Sequence, residues 1–431
     1  MNALRPVQVP RLALAPSDVD VAIVGAGAAG IAAARRCLAE GLTCTVLEAR
    51  NRIGGRCVTV PVGGRPLDLG AHWLHAGDLN PLVALGRERG EPLVPAPRSG
   101  GLVVEGVLAD EATARAQFDA FETAGAAIAE AAGLSEDPSI ADVLPELGRW
   151  RQPVAATLAL ISGRPLDEVS AHDFPSEEFG DNWFAKGGYG AYLARLAEGL
   201  PIALGHPVDR IDWSGEGVSL EGPGGQVRAR AAIVTVPIAL LAEDRIRFAP
   251  ALPEPARDAI AAFLPGTYEH VVLDWANSPF READRLVKIV GPDSSYGLMT
   301  RIEGGPLHYF EIDHATAEVL GRDASSLAAF TRDWLAARLG RDAVRGLAIP
   351  CVTDWVRDSW SRAAWAVARP GRAPDRRTLA EPIGERLWIA GEATSVRLWG
   401  TVGGAWEEGD AAALAAARRL KTSPADLPDL M

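Results

Sequence analysis

The sequence predicts an α/β protein of two interleaved domains, a Rossmann-type dinucleotide-binding domain and an α+β domain for a substrate. Three observations carry this. A strand–glycine turn–helix–strand unit opens the chain after a Pro-rich tail. Strand-like and helical stretches then alternate to the C-terminus. Segments of nucleotide-binding character recur in the middle and near the end, so the domains are woven from separate pieces. The 431 residues suffice for two or three domains, and 48% apolar with 23% charged residues is a globular composition.

Asp20 to Val24 reads as a short buried strand. Gly25-Ala26-Gly27-Ala28-Ala29-Gly30 follows, then an Ala-rich helix from Ile31 to Glu40, a stop at Gly41 and a second apolar strand, Thr43 to Leu47, closed by Glu48. A lone GxGxxG is weak evidence; strand, glycines, helix, second strand and terminal acid together specify a dinucleotide site. Gly25 permits the tight turn, Gly27 lets a pyrophosphate approach the backbone, and Gly30 lets helix and strand touch. The helix N-terminus offers amide donors and the positive end of a dipole. Glu48 can accept from ribose hydroxyls and disfavours a 2′-phosphate, which leaves FAD or NAD.

Residues 78–185 read as mainly helical, with helices at Pro81–Arg89, Ala112–Ala132, Ile140–Leu147 and Pro153–Ile161. An amphipathic helix, Tyr189–Glu198, is followed by strands at Val208–Trp213, Gly217–Leu220, Val227–Arg230 and Ala232–Val236, with a hairpin turn at 222–225. Further strands are expected at Val271–Trp275, Leu286–Val290 and Leu307–Ile312, then a helix at Leu327–Leu339. The last block runs from Leu387–Ala390 through Gly391-Glu392 into a helix ending near Leu420. The first domain is assigned 18–77, 186–244 and 378–420, the second 78–185 and 245–377, leaving tails at 1–17 and 421–431.

The formal charge is −13, and it is unevenly placed. Residues 101–181 hold 16 acids and 4 bases (Arg115, Arg149, Arg151, Arg164), so this stretch carries nearly all of it. An acidic chain is a poor nucleic-acid binder. A solvated helix face and a device that attracts cations compete to explain the stretch. No apolar run is long enough to span a membrane and no secretory segment stands out. The cysteines (Cys37, Cys44, Cys57, Cys351) lack CxxC or metal spacing, so a reduced cytoplasmic chain is expected. His75, His172, His308 and His314 show no ligand spacing, and no metal is expected.

Four separated motifs, in one order, identify a family. They are Glu48-Ala49-Arg50-Asn51-Arg52-Ile53-Gly54-Gly55-Arg56; Asp68-Leu69-Gly70-Ala71-His72-Trp73-Leu74-His75; Ile389–Thr394; and Gly400–Ala405. The chain resembles the flavin-containing amine oxidases over about 18–420, and the second long motif, with Asn80-Pro81 after it, is most similar to the polyamine oxidase branch. The resemblance implies non-covalent FAD. Gly25, Ala26, Gly27, Ala29, Gly30, Glu48 and Ala49 match the adenosine-diphosphate site, and Arg50, Gly55 and Arg56 match the loop along the diphosphate and ribityl chain. Gly70, Ala71, His72 and Trp73 match the segment beside the isoalloxazine. Val208 matches a residue at the adenine, and Gly391 and Glu392 a pair at the diphosphate. Thr401, Val402 and Ala405 match the helix start facing the flavin N1–O2 edge, where reduction places negative charge.

Two departures bear on chemistry. Family members often carry a lysine that holds a water near flavin N5; the matching position here is His270, in Gly266-Thr267-Tyr268-Glu269-His270, and no lysine of Lys186, Lys288 or Lys421 matches. The family's aromatic substrate cage is matched by Trp365 on one side, while Thr401 supplies no ring on the other. Trp399 and Trp73 are candidates to complete it. His270, Trp365 and Thr401 are the expected catalytic positions, and Trp73, His75, Trp365 and Trp399 the expected substrate contacts. A cysteine that would tether flavin is replaced by Ala364.

The expected reaction is oxidation of a primary or secondary amine, polyamines included, to an imine and then aldehyde or ketone, with O2 reduced to H2O2. The alternatives are an L-amino-acid oxidase, with Arg362 or Arg397 for the carboxylate, and a dehydrogenase using another electron acceptor. A non-enzymatic flavoprotein is the remaining class. The expected partners are a small-molecule amine and O2 or another acceptor; a homodimer is allowed for, and neither nucleic acid nor a membrane span is expected.

Overall fold

The computed structural model describes residues 18–96, 100–174 and 181–422. The tail 1–17, residues 423–431 of the other tail, and Glu177 and Glu178 of the acidic stretch lie outside the described residues.

The first sheet has eight strands. Asp18–Val24 lies in parallel between Cys44–Glu48 and Gly225–Val234, with Val21 opposite Cys44 and Ala231. Val21 to Val24 are all buried, as expected of a central parallel strand covered on both faces. Ile202–Leu204 extends one edge; Val218–Gly222, Arg210–Asp212 and Arg247–Ala249 extend the other, and Leu387–Ile389 pairs with the far half of Gly225–Val234. Helices Ala28–Ala39 and Val402–Lys421 cover one face, burying Ile31, Ala33, Trp406 and Ala413 with Val21 and Ile23.

The second sheet has seven strands in the order Ala348–Val352, Glu269–Asp274, Leu307–Ile312, Ser295–Thr300, Arg285–Val290, Gly101–Val104 and Val107–Leu108. Its pairing lines up one row of residues across four strands. His270 stands opposite Glu311, Lys288 stands opposite Gly297, and the pairing of Leu298 with Phe310 brings Gly297 level with Glu311. Directly opposed residues share a face, so these side chains project to the same side.

Several expectations on elements are corrected. Residues 78–185 are mainly helical, as expected, but also supply strands that were not: Gly101–Val104 and Val107–Leu108 form an edge hairpin of the second sheet, and Leu93–Pro95 pairs with Trp183–Ala185. Strands of two to four residues are too short to show a period. The helix expected to reach Leu147 ends at Val143, since Leu144 precedes a proline and is extended. The strands expected at Val227–Arg230 and Ala232–Val236 are one strand, Gly225–Val234. Arg247–Ala249 and the helix Glu254–Ala261 pack with the first sheet, although 245–377 was assigned to the second domain. Among the described residues no helix is long and apolar enough to cross a membrane.

Candidate functional site

A cavity of about 420 Å³ runs from the carboxyl ends of the first sheet's strands to the face of the second sheet that carries the His270–Lys288 row. One end is made largely of backbone. Gly25 has φ +104°, which a side chain would strain, and a Cβ on Gly30 would lie 1.8 Å from the Gly25 carbonyl oxygen. A Cβ on Gly27 would meet nothing within 4 Å, because that position faces the cavity. Gly30 therefore closes the helix onto the strand and Gly27 opens it to a ligand. Gly30 and Ala26 lie behind the wall, while Gly25, Gly27 and Ala29 line it.

Glu48 ends its strand at the same place. Its carboxylate accepts the Ala26 and Arg50 amides, both at 2.8 Å, and burial raises its pKa. Ala49, Gly55 and Val208 complete this wall. Arg50 also lines it, but its guanidinium is held by Asp358 at 2.9 and 2.5 Å and by Ser361 at 2.8 Å. Arg56 donates to the Ala364 carbonyl and to Glu392, each at 3.0 Å. The two arginines thus tie the 48–56 loop to 358–364 and 392 rather than offering free charge.

Further along come Gly70, Ala71, His72, Trp73, Gly391 and Glu392, then the start of the helix Val402–Lys421. Thr401 caps that helix; its hydroxyl accepts the Gly404 amide at 3.0 Å and donates to the Leu398 carbonyl at 2.7 Å. Val402 and Ala405 line the cavity beside it. Two helix N-termini therefore open onto one cavity. An acid at a strand end, side-chain-free space at Gly27 and a second positive helix end suit an FAD whose diphosphate lies at the first helix and whose reducible ring lies toward the second.

The other end is made of side chains. Trp365 donates from Nε1 to the Ser162 carbonyl at 3.0 Å, and its ring lies 5.5 Å from that of Tyr268. Trp73 stacks on His75 at 6.0 Å, and both line the cavity. His270 packs on Tyr309 at 4.3 Å and on His72 at 5.1 Å. Burial drops the His270 pKa to about 4, with the Leu69 backbone opposing. A neutral imidazole, with no fixed cation, occupies that position.

Three expectations are overturned. Trp399 does not reach the cavity; it is fully buried, donates to the Asp173 carbonyl at 2.9 Å and packs under Arg376 at 4.7 Å. Arg362 and Arg397 do not reach it either, being held outside by Glu243 at 2.9 Å and Glu407 at 2.7 Å. Sequence reasoning missed Tyr268, Lys288, Glu311 and the helix residues Ala156, Thr157 and Leu160, all of which line the cavity. A signal existed for two of them, since Lys288 and Glu311 are single charges inside otherwise largely apolar strands. Burial pushes Glu311 up to about 7, with Tyr268 hydrogen bonding and Lys288 opposing. Burial pushes Lys288 down to about 8, with Glu311 opposing.

A family model described as flavin containing amine oxidoreductase matches residues 145–417, and an NAD(P)-binding Rossmann-like model matches 23–86. The curated relatives include Lysine-specific histone demethylase 1 homolog 2 of Arabidopsis thaliana, 29% identical over 451 residues covering 94% of this chain and 59% of that protein. Lysine-specific histone demethylase 2 of Homo sapiens is 28% identical over 441 residues, covering 92% and 53%. The chain thus spans little more than half the length of these relatives. Among solved structures, the cyclohexylamine oxidase of Brevibacterium oxydans superposes with TM-score 0.79 at 21% identity, covering 94% of this chain and all of that one. A putrescine oxidase bound to putrescine gives 0.77 at 21%, covering 92% and 98%. At such identity the likeness is one of fold.

Proposed function

The chain belongs to the flavin-containing amine oxidoreductase family, and from that membership we propose that it oxidises a primary or secondary amine to an imine, hydrolysed to aldehyde or ketone, with O2 as acceptor. It is an FAD-dependent amine oxidoreductase. One observation carries the finer reading: a single cavity joins the Gly27 cradle to the aromatic wall of Trp365 and Tyr268, so a bound amine and the cofactor would share one enclosure.

When bound, FAD supplies the two-electron oxidation of the α C–H and passes the electrons on to O2 as H2O2. The residues do the rest. The first helix and Glu48 hold the adenosine half, and the helix capped by Thr401 favours negative charge at its end of the cavity. Trp365, Tyr268 and Trp73 exclude water and orient the α-carbon. Their low-polarity surroundings disfavour an ammonium, so the reacting nitrogen is held neutral. Ala364 offers no thiol for a tether, so the cofactor is bound non-covalently. The described cysteines are all free, which fits a cytoplasmic site of action.

The uncharged His270 favours a second reading, delivery of electrons to an acceptor other than O2, because no fixed cation stands there to stabilise anionic oxygen species. Incubating the holoprotein with amines in air separates the two. Equal yields of aldehyde and H2O2, matching O2 consumed, support the oxidase. A flavin that bleaches and stays bleached in air supports the other acceptor, and absence of any carbonyl product overturns the amine reading.

A further inference from the structure

The far end of the cavity holds two opposite charges that do not satisfy each other. Lys288 and Glu311 lie in the same row on the second sheet, separated by the strand carrying Gly297. That glycine is required, because a Cβ there would lie 1.9 Å from Oε2 of Glu311; the carboxylate is draped across the gap toward Lys288. Yet no hydrogen bond or ion pair joins the two among the described residues. The Lys288 ammonium sits 5.5 Å from the Phe121 ring and feels Glu311 only at longer range. Glu311 is 3% exposed and accepts one hydrogen bond, from the Tyr268 hydroxyl, which leaves most of its acceptor capacity open. A buried carboxylate and a half-buried ammonium held apart in this way are costly unless a ligand completes them.

Each simpler ligand leaves one of them wrong. A diamine's distal ammonium suits Glu311 but meets Lys288. A distal carboxylate suits Lys288 but meets Glu311. An alkyl end desolvates both and pairs neither. A group with adjacent positive and negative charges completes both. We propose that Lys288 and Glu311 form a subsite for the zwitterionic head of an α-amino acid whose distal amine is the one oxidised, with the ammonium on Glu311 and the carboxylate on Lys288. This deepens the amine-oxidase reading and rests on it. Arg50 and Arg56, already paired, do not compete for the carboxylate.

The test compares four amines sharing one aminopentyl unit: pentylamine, 1,5-diaminopentane, 6-aminohexanoate and L-lysine. Anaerobic reduction of the holoprotein's flavin gives kcat/KM for each, and binding of L-norleucine, which has the head but no distal amine, is measured by calorimetry. The expected result is L-lysine ahead of the others by at least tenfold, with measurable norleucine binding. Lys288→Met and Glu311→Gln should each cut the L-lysine value at least tenfold more than the pentylamine value. A preference for 1,5-diaminopentane, 6-aminohexanoate or pentylamine over L-lysine overturns the proposal while leaving the amine reading intact. If none reduces the flavin but norleucine binds, the subsite stands and the amine reading falls. The ligand series decides even where a variant fails to fold.

Discussion

The two ends of the cavity are built from opposite materials. The cradle at Gly25–Gly30 works by removing side chains, so that backbone amides and a helix end face the ligand. The row from His270 to Lys288 works by adding them, putting charges into a sheet face that would otherwise be apolar. The contrast follows from what each end must recognise. A diphosphate and ribose present the same groups in every relative of such a site, and backbone recognises them whatever the neighbouring sequence. An amine's far end differs between substrates, and only side chains can be exchanged to follow it. The cradle therefore depends on the backbone and on its three glycines, Gly30 for packing and Gly27 for open space, while the row depends on its side chains.

The largest expected effect breaks the cradle without touching the row. Gly27→Leu fills open space at a position with ordinary φ, so the apoprotein should keep its far-UV spectrum and unfolding transition. FAD affinity should fall at least a hundredfold, read as flavin content and fluorescence titration. A fold lost along with the flavin would contradict the separation of roles between Gly27 and Gly30.

Next comes a pair of tryptophans that divides wall from core. Trp399→Ala empties a fully buried site and should cost about 3–5 kcal/mol in denaturant unfolding. Trp365→Ala should lower kcat/KM for an amine by about a hundredfold with a smaller stability loss. Equal effects on both quantities would erase the distinction.

The row can be sharpened by pH. Glu311, raised to about 7 by burial, carries its charge only above that value, and Lys288, lowered to about 8 by burial, carries its charge only below that one. Norleucine remains a zwitterion throughout, so its binding should peak between the two and fall about tenfold per pH unit outside on either side. Tyr268, His270 and Phe121 face the same pair; His270, near 4, and Tyr268, held well above its usual value, do not titrate in this window. Lys288→Met should remove the alkaline limb and spare the acidic one. A flat profile would show that neither charge meets the head group.

The smallest effect concerns the acidic stretch at 101–181. Much of it has local work: Asp110 caps a helix, Asp142 completes a capping box, Asp173 pairs with the buried Arg376, and Asp119 pairs with Arg115. Glu111, Glu122 and Glu130 lie exposed on the helix Glu111–Ala131. Raising ionic strength should therefore lower kcat/KM for a dicationic amine by no more than about threefold, through screening of exposed charge. A tenfold fall would assign the stretch to steering.

Legibility followed the same division. The cradle could be read because each glycine and Glu48 answers a local backbone requirement that leaves a fixed spacing, and the helices Pro81–Arg89 and Val402–Lys421 carry their own start and stop signals. The row could not, because it exists only through pairing between strands distant in the chain, with His270 opposite Glu311 across 41 positions and Lys288 opposite Gly297. Lys288 is visible in the sequence but matches no family position, and nothing local ties it to Glu311. Trp399 was misplaced for a related reason: adjacency to Gly400 in the chain puts its backbone near the cavity while its ring turns into the core under Arg376.

The account stands most directly on whether an amine reduces the flavin bound in that cavity. Anaerobic titration of the holoprotein with amines, followed at the visible flavin band, should bleach the band stoichiometrically and yield the matching aldehyde or ketone. A band unchanged by every amine and amino acid tried would contradict it.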